Sequence, residues 1–258
     1  VEVPGYLTQG IVVKDIVFIQ DIGDGGAKSD KFARDVRLLK DGLDKNPYNE
    51  RYMFYLANSL KDLAGTQVYQ SHEQAGKLDS MLNEWKTQFE HVDDMDIIMN
   101  SIREQKQAFL DKIKESEKKL KYEAISYYQK RIEAGGFWEE VWYSYYNMGK
   151  LYFQLEEVEK AVHCLQRSYI LYPQRVENLY EIIKYYREKG ENEMAAHFYT
   201  MAHESCMKYP SRDYLFIQKD VYDYKLDYEM TIIGYYTNPT QLDMRTLCMN
   251  VWKNDEID

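Results

Sequence analysis

The chain has 258 residues, a formal net charge of −10 and a pI near 5.1. A surface this acidic repels nucleic acid and anionic membranes, so neither is expected as a partner. No segment has the character of a signal peptide or a membrane span, because Lys14 and Asp15 interrupt the apolar run at residues 11–19. The length allows one elongated domain or one and a half ordinary ones.

The cysteines indicate a reducing environment. Cys164, Cys206 and Cys248 lie far apart in the sequence and form no C-x-x-C pair, and no histidine is close enough to complete a zinc site. We therefore expect reduced core thiols on helices in a cytoplasmic protein.

The first part of the chain predicts a short β element and a glycine-rich turn. Residues 6–20 are dense in β-branched and aromatic residues, which is typical of one or two strands. The stretch DIGDGGAKSDKF follows, with three glycines in four positions. Its spacing is neither that of a Walker loop nor that of a dinucleotide fingerprint. These residues alone favour a tight turn with the next helix capped by Ser29 or Asp30, and a phosphate cradle is the alternative.

Every segment after Ser29 has helical periodicity. A first helix, with Val36, Leu39 and Leu43, is predicted to end at Pro47. The repeat that follows is split by an insertion of about fifty-five residues relative to the usual period of about 34. Its first helix carries Met53, Leu56, Ala57 and Leu60, and its second helix carries Ala124, Tyr128 and Ile132.

The insertion is predicted to be a helical hairpin. Ser71 and Gln74 fit a capping box that would begin its first helix. Two apolar stripes follow, and helices joined by a short turn should fold back antiparallel so that the stripes face each other. The stripes consist of Ala75, Leu78, Leu82, Trp85 and Phe89, then Ile98, Ile102, Phe109, Ile113, Leu120 and Ala124.

The C-terminal half matches the tetratricopeptide pattern, which has a period of about 34 residues. Small residues, among them Gly149, Ala161 and Ala195, fall where the two helices of a repeat approach most closely. The first match consists of Trp142, Tyr145, Met148, Gly149, Tyr152, Ala161, Leu165, Ser168 and Pro173. The second consists of Leu179, Ile182, Ile183, Tyr186, Ala195, Tyr199 and Ala202.

Several blocks together resemble a known family. They are GDGGAKSDKFARDVRLL, NPYNERYMFYLANSLKDL, YYQKRIEAGGFWEEVWYSYYNMGKL, YPQRVENLYEIIKYYREKG and LFIQKDVYDYKLDYEMTIIGYYT. In this order they resemble the C-terminal region of family 2 glycosyltransferases that carry tetratricopeptide repeats, as found in bacteria and large DNA viruses.

The resemblance implies a parent enzyme that transfers a sugar from a nucleotide sugar to a protein or glycan acceptor, with Mg or Mn. It places Asp24, Gly25, Gly26 and Lys28 at the mouth of the nucleotide-diphosphate site, where backbone amides and a lysine can face phosphate oxygens. The donor-binding half would precede Val1. We therefore expect a fragment that has no catalytic residue and binds no metal or cofactor by itself.

The inner faces of the first helices of the repeats predict a partner-binding groove. Tyrosines with lysine and arginine suit a peptide, an acidic tail or a glycan. The equally weighted alternative is that neighbouring repeats or the hairpin fill the groove. The positions are Arg51, Phe54, Asn58, Tyr143, Tyr146, Lys150, Tyr180, Lys184 and Arg187.

Other constellations favour structural roles. The five histidines have no nucleophile or carboxylate at a convincing spacing, so surface or core roles are expected. Glu139 and Glu140 are neighbours and point about 100° apart on a helix, which favours a first-turn dipole role over a pair of catalytic carboxylates.

The sequence thus predicts an all-α, tetratricopeptide-like solenoid with an inserted helical hairpin and a short N-terminal β remnant. Its function is predicted to be acceptor or partner binding, or dimerisation, within a glycosyltransferase. A free-standing adaptor that binds a peptide partner is the alternative. The predicted segments are the remnant at 1–29, the first repeat helices at 30–65, the hairpin at 66–120, the repeats at 121–210 and a helical cap at 211–258.

Overall fold

A computed structural model describes residues 30–88, 95–209, 214–237 and 243–255. Every regular element in these ranges is helical, and none of them is a strand, so the predicted all-α class is confirmed. The predicted strands near residues 6–20 lie outside the described residues. The helices are α1 Lys31–Lys45, α2 Glu50–Gln88, α3 Met95–Ala134, α4 Trp138–Gln154, α5 Val158–Leu171, α6 Glu177–Glu188, α7 Asn192–Lys208, a π-helical turn Val221–Lys225 that continues into α8 Leu226–Thr237, and α9 Met244–Asp255.

Two turns of the same type show the repeat. After α4, Glu156 adopts a left-handed φ of 62°, and the N–H of Glu157 donates to the carbonyl of Tyr152 at 2.9 Å. After α6, Gly190 has a φ of 76°, and the N–H of Glu191 donates to the carbonyl of Tyr186 at 2.9 Å. This is the Schellman motif, and its second copy comes 34 positions after the first. The predicted register of the helix pairs α4/α5 and α6/α7 is therefore correct.

The core runs along the stacked pairs. Trp142 and Leu165 of the first pair and Ile182 and Tyr199 of the second are all at most 1% exposed, and they belong to one apolar cluster. The π-helical turn and α8 continue this cluster through Val221, Leu226, Met230 and Ile233. The chain is a solenoid in which each pair covers the apolar face of the pair before it.

The hairpin is continuous with the repeat that it splits. Three hydrogen-bonded pairs show that α2 and α3 are antiparallel. Residues later in α2 pair with residues earlier in α3. The pairs are Tyr128 to Asn58 at 2.6 Å, Ser116 to Gln67 at 3.3 Å and Lys106 to Asp79 at 2.6 Å. The predicted fold-back is confirmed, and the predicted boundary at residue 66 falls inside α2.

The predicted capping box at Ser71 and Gln74 is wrong. Ser71 lies in the interior of α2, where its buried hydroxyl donates to the carbonyl of Val68 at 2.7 Å. The seam with α3 stabilises this stretch, and that packing outweighs the local capping signal. At the other predicted cap, Asp30 does precede α1, although its side chain makes no capping hydrogen bond.

The stripes of the hairpin are only partly covered. Leu82 is 2% exposed as expected, whereas Ile98 and Phe109 are 49% and 42% exposed and Met99 is buried instead. Each helix of a two-helix hairpin has a single neighbour, so only a narrow seam is buried. Trp85 is 38% exposed.

The cysteines differ in exposure. Cys164 is buried as expected, and burial raises the pKa of its thiol to about 11. Cys206 is half-buried, and Cys248 is exposed, so the predicted core position is wrong for Cys248. Within the described ranges, the helices are all too short or too polar to cross a membrane.

Candidate functional site

The chain's own residues 214–218 cover part of the predicted groove, because they contact its positions Phe54, Tyr143 and Tyr146. We call residues 214–218 the strap. The strap leads directly into the π-helical turn. The ring of Phe216 stacks on Tyr143 at a centroid distance of 4.5 Å and lies 5.8 Å from the ring of Phe54. The alternative of a filled groove thus holds here, although neither the hairpin nor a neighbouring repeat fills it.

A buried arginine holds the main chain of the strap. The two terminal nitrogens of Arg175 donate to the carbonyl oxygens of Leu215 at 2.8 Å and Phe216 at 3.3 Å. The guanidinium is fully buried, pairs with Glu177 at 2.7 Å and lies 3.6 Å from the ring centroid of Trp142. A buried charge is tolerated only when it is paired and hydrogen-bonded, and Arg175 meets this condition only while the strap is present or water replaces it.

Two carboxylates accept from the strap's amides. The N–H of Leu215 donates to Glu139 at 2.7 Å, and the N–H of Gln218 donates to Glu177 at 3.4 Å. Glu177 also accepts from the hydroxyl of Tyr222 at 2.6 Å. One arginine and two carboxylates therefore bind main-chain polar atoms of the strap, which turns at Leu215 and Phe216.

The middle of the groove recognises one side chain of the strap. The amide nitrogen of Gln218 donates to the hydroxyl of Tyr146 at 2.7 Å, and that hydroxyl donates to Glu181 at 2.9 Å. Burial, followed by the nearby Glu181 carboxylate, raises the pKa of Tyr146 well above its ordinary value. Tyr146 is thus a neutral hydrogen-bonding group throughout the physiological pH range.

The remaining predicted groove positions are divided between covered and open sites. Asn58 accepts from Tyr128 of α3 and faces the hairpin seam. Arg187 pairs with the buried Glu229 of α8, and burial raises the pKa of the half-buried Tyr180 beside that carboxylate. Arg51 is exposed, and its guanidinium carbon lies 5.8 Å from the ring centroid of Tyr55. A partner-binding role for these residues stays a prediction.

An open cleft of about 670 Å³ adjoins the occupied half, between α4 and α6. Phe153 and Tyr185 stack at 4.6 Å in its wall, and Lys150 pairs with Glu181 at 3.1 Å. Lys184 also lines the cleft and has no ion pair within the described part of the chain. Lys150 and Lys184, both predicted groove residues, therefore reach solvent together.

A second cavity, of about 430 Å³, lies at the other end of the strap. Tyr55, Phe137, Leu215 and Phe216 form apolar walls, and each is between 42% and 52% exposed. Four charged residues, Glu50, Arg51, Arg131 and Glu140, line the rest of the cavity. This cavity leaves apolar surface unfilled directly beside the strap.

The dipole interpretation of Glu139 and Glu140 was incomplete. Both lie in the first turn of α4, but Glu139 accepts from the strap and Glu140 pairs at 2.9 Å with the fully buried Arg131. These partners lie on the preceding helix and in the distant strap, and helix periodicity does not reveal either contact.

Sequence reasoning missed Arg175 and the strap. One signal was available, since the breaks YPQR at 172–175 and YPSR at 209–212 both place an arginine two residues after a proline. An arginine that recurs at the same point of a repeat indicates a structural role. Arg212 itself lies outside the described residues.

The potential metal-ligating side chains are scattered among the described residues. None of their His, Cys, Asp and Glu side chains form a group of three that could hold a metal ion. His72, His163 and His197 are exposed, and His203 stacks on Tyr199 at 5.8 Å. The phosphate-site candidates Asp24, Gly25, Gly26 and Lys28 lie outside the described residues, so their role stays a prediction.

Comparison with known proteins adds little to this picture. No family model and no curated protein matches the chain. Among solved structures, the crystal structure of MamA is similar over 74% of this chain and 98% of that chain, with 19% identity and a TM-score of 0.31. A likeness this slight carries no functional argument. The helices and their repeated turns define the protein as an all-α, tetratricopeptide-like solenoid.

Proposed function

We propose that this chain is a protein-interaction module that binds an extended peptide segment of a partner in the open cleft of its concave face. The observation that supports this proposal is the strap. The same face already holds a non-helical segment through its main-chain carbonyls and amides. A helical-repeat surface that binds one such segment through its main chain has the hydrogen-bonding groups to bind another peptide.

The chemistry of the open cleft favours a peptide of mixed charge. Three lysines of the cleft are balanced by three carboxylates: Lys150, Lys184 and Lys189, and Glu156, Glu181 and Glu188. A purely acidic tail would meet these carboxylates, and repulsion would weaken its binding. The stacked Phe153 and Tyr185 offer an apolar surface for one side chain of the partner.

The test is a selection of short random peptides displayed on phage, using the full chain as bait. Lys184→Ala removes an unpaired cation from the cleft, and Lys112→Ala removes an exposed cation on α3 as the matched control. We expect enriched peptides to share a motif and to lose at least tenfold in affinity with Lys184→Ala only. Peptides without a motif, or with equal affinity for both variants, would contradict the proposal.

The glycosyltransferase parent stays a prediction of the resemblance. The proposed peptide site does not depend on it, since the residues of the site lie in α4, in α6, in the turns after them and at Val158, the first residue of α5. The reading frame upstream of Val1 tests it, because the resemblance requires a nucleotide-sugar-binding domain with an acidic metal motif there.

A further inference from the structure

We infer that the strap-binding half of the groove is itself a peptide site, whose natural ligand is a partner segment with the pattern apolar–aromatic–any–Gln. The strap, with Leu215, Phe216 and Gln218 at these positions, is then an exchangeable occupant. The inference rests on the proposed function in one respect, because both place a peptide of a partner on the same face of the repeats.

The contacts with the strap are those a protein uses for a separate peptide. Arg175, Glu139 and Glu177 bind its carbonyl oxygens and amides, which are groups that every peptide possesses. The side-chain contacts come from three spaced residues: Tyr214 on Tyr172, Phe216 on Tyr143, and Gln218 on Tyr146. Main-chain contacts combined with spaced side-chain contacts give affinity and selectivity together.

The strap is an imperfect ligand for this site. Leu215 and Phe216 keep 52% and 43% of their surface exposed. Phe216 also has a φ of 58°, in the left-handed region that bulky side chains rarely adopt. Such a conformation is strained and persists only where the surroundings enforce it.

A partner segment can improve on the strap at both points. A separate chain has no covalent link to the π-helical turn, so its aromatic residue can enter with a negative φ. A larger residue at the position of Leu215 can fill the adjoining cavity of about 430 Å³ between Tyr55 and Phe137. Both changes favour replacement of the strap by the partner.

The probe for the experiment is a separate peptide that has the sequence of the strap and the residues after it. A fluorescein-labelled peptide with the sequence YLFIQKDVY, residues 214–222, is titrated with the chain and followed by fluorescence anisotropy. The strap is weakened by the double substitution Phe216→Ala and Gln218→Ala. The matched control is Tyr235→Ala, which removes a highly exposed aromatic ring on α8 outside the groove.

We expect the double variant to bind the peptide at least tenfold more tightly than the wild-type chain and the control. Adding Tyr143→Ala should abolish the gain, and a peptide with both alanines should not bind. If the folded double variant binds no better than the wild type, the strap is a fixed structural element and the inference is wrong.

Hydrogen exchange of the wild-type chain gives an answer that does not depend on the variant's folding. An exchangeable strap should open locally, so the Leu215 amide should exchange at least tenfold faster than the buried amides of α4. Equal rates would overturn the inference. If the peptide library yields no peptide whose binding depends on Lys184, the proposed function is contradicted. That outcome does not affect the results expected for the strap.

Discussion

At Gly149 the close packing of α4 against α5 leaves no room for a side-chain carbon. A Cβ atom there would lie 2.5 Å from Cγ and 2.7 Å from Cδ2 of Leu165, and 3.2 Å from the carbonyl oxygen of Ala161. Leu165 is fully buried, so it has no free space into which it can move. The small residue is required by the contact between α4 and α5.

We expect Gly149→Leu to lower the free energy of unfolding by about 1–3 kcal/mol or more, since overpacking forces the two helices apart. Thermal and denaturant unfolding measure the change. Gly76→Ala is the matched control, because nothing lies within 4 Å of a Cβ at that helical glycine. The control should be stabilised by up to about 1 kcal/mol through helix propensity. An unchanged unfolding midpoint for Gly149→Leu would contradict the close contact between α4 and α5 at this position.

At the scale of the element, α9 depends on a titratable N-cap. The carboxylate of Asp243 accepts from the N–H of Arg245 at 3.1 Å and from the hydroxyl of Thr246 at 2.5 Å. The hydrogen bond from the Thr246 hydroxyl, followed by those from the backbone, lowers the pKa of Asp243 below 3.8. The lowered pKa means that the charged form stabilises the folded helix.

This stabilisation is fully present above the ordinary pKa of 3.8 and is lost as pH falls through the lower pKa of the folded state. We therefore expect α9 to fray on acidification, which the emission of the half-exposed Trp252 reports. In Asp243→Asn the cap is kept without a titrating group, so the acid-dependent step at α9 should disappear. A step of equal size in this variant would assign the acid response to another group.

We expect the repeats to fold without the hairpin. Replacing residues 66–119 by a short Gly/Ser linker joins α2 to the lower part of α3, where Leu60 and Tyr128 remain buried in the core of the repeat. We expect the variant to unfold in one cooperative transition, with a loss of helicity that matches the deleted residues in circular dichroism. Loss well beyond them would show that the hairpin is part of the solenoid's core.

At the scale of the whole molecule, the C-terminal elements close the core. Truncation after Tyr209 removes Val221, Met230 and Ile233 and uncovers Ile182 and Tyr199. Each fully buried aliphatic side chain is worth about 1.5–3 kcal/mol, so we expect a large fall in melting temperature and increased binding of a hydrophobic dye. Truncation after Thr237 removes only the contacts of α9, of which Leu247 is buried, and should cost far less. Similar losses in both variants would contradict this account.

The parts of the fold that follow a period were predictable from sequence. The spacing of Gly149, Ala161 and Pro173 gave the repeat register, because stacked pairs require small residues at fixed points. Continuity of α2 through Ser71 was not predictable, because a local capping signal competes there with a tertiary seam. Helix bounds therefore depend on packing that periodicity alone does not contain.

The occupied groove could not be read from the sequence either. The inner-face residues Tyr143 and Tyr146 were found because they lie at fixed positions of a repeat. Their contacts with Phe216 and Gln218 join residues that are more than 70 positions apart, and they depend on the path of a segment without helical periodicity. The main-chain recognition by Arg175 leaves no pattern in the residues that are recognised.

The continuity of α2 makes the hairpin a lever arm. The helix carries Phe54 at the strap, is anchored by the fully buried Leu60 and extends to Gln88. From Leu60 to its end the helix is about 40 Å long, so a rotation of about 5° at the anchor displaces the far end by about 4 Å. A sub-ångström shift of Phe54, produced by a change of occupant in the groove, would be magnified at the hairpin's distal end. The position of the hairpin's distal end, and of any partner bound to it, would therefore depend on which segment occupies the groove.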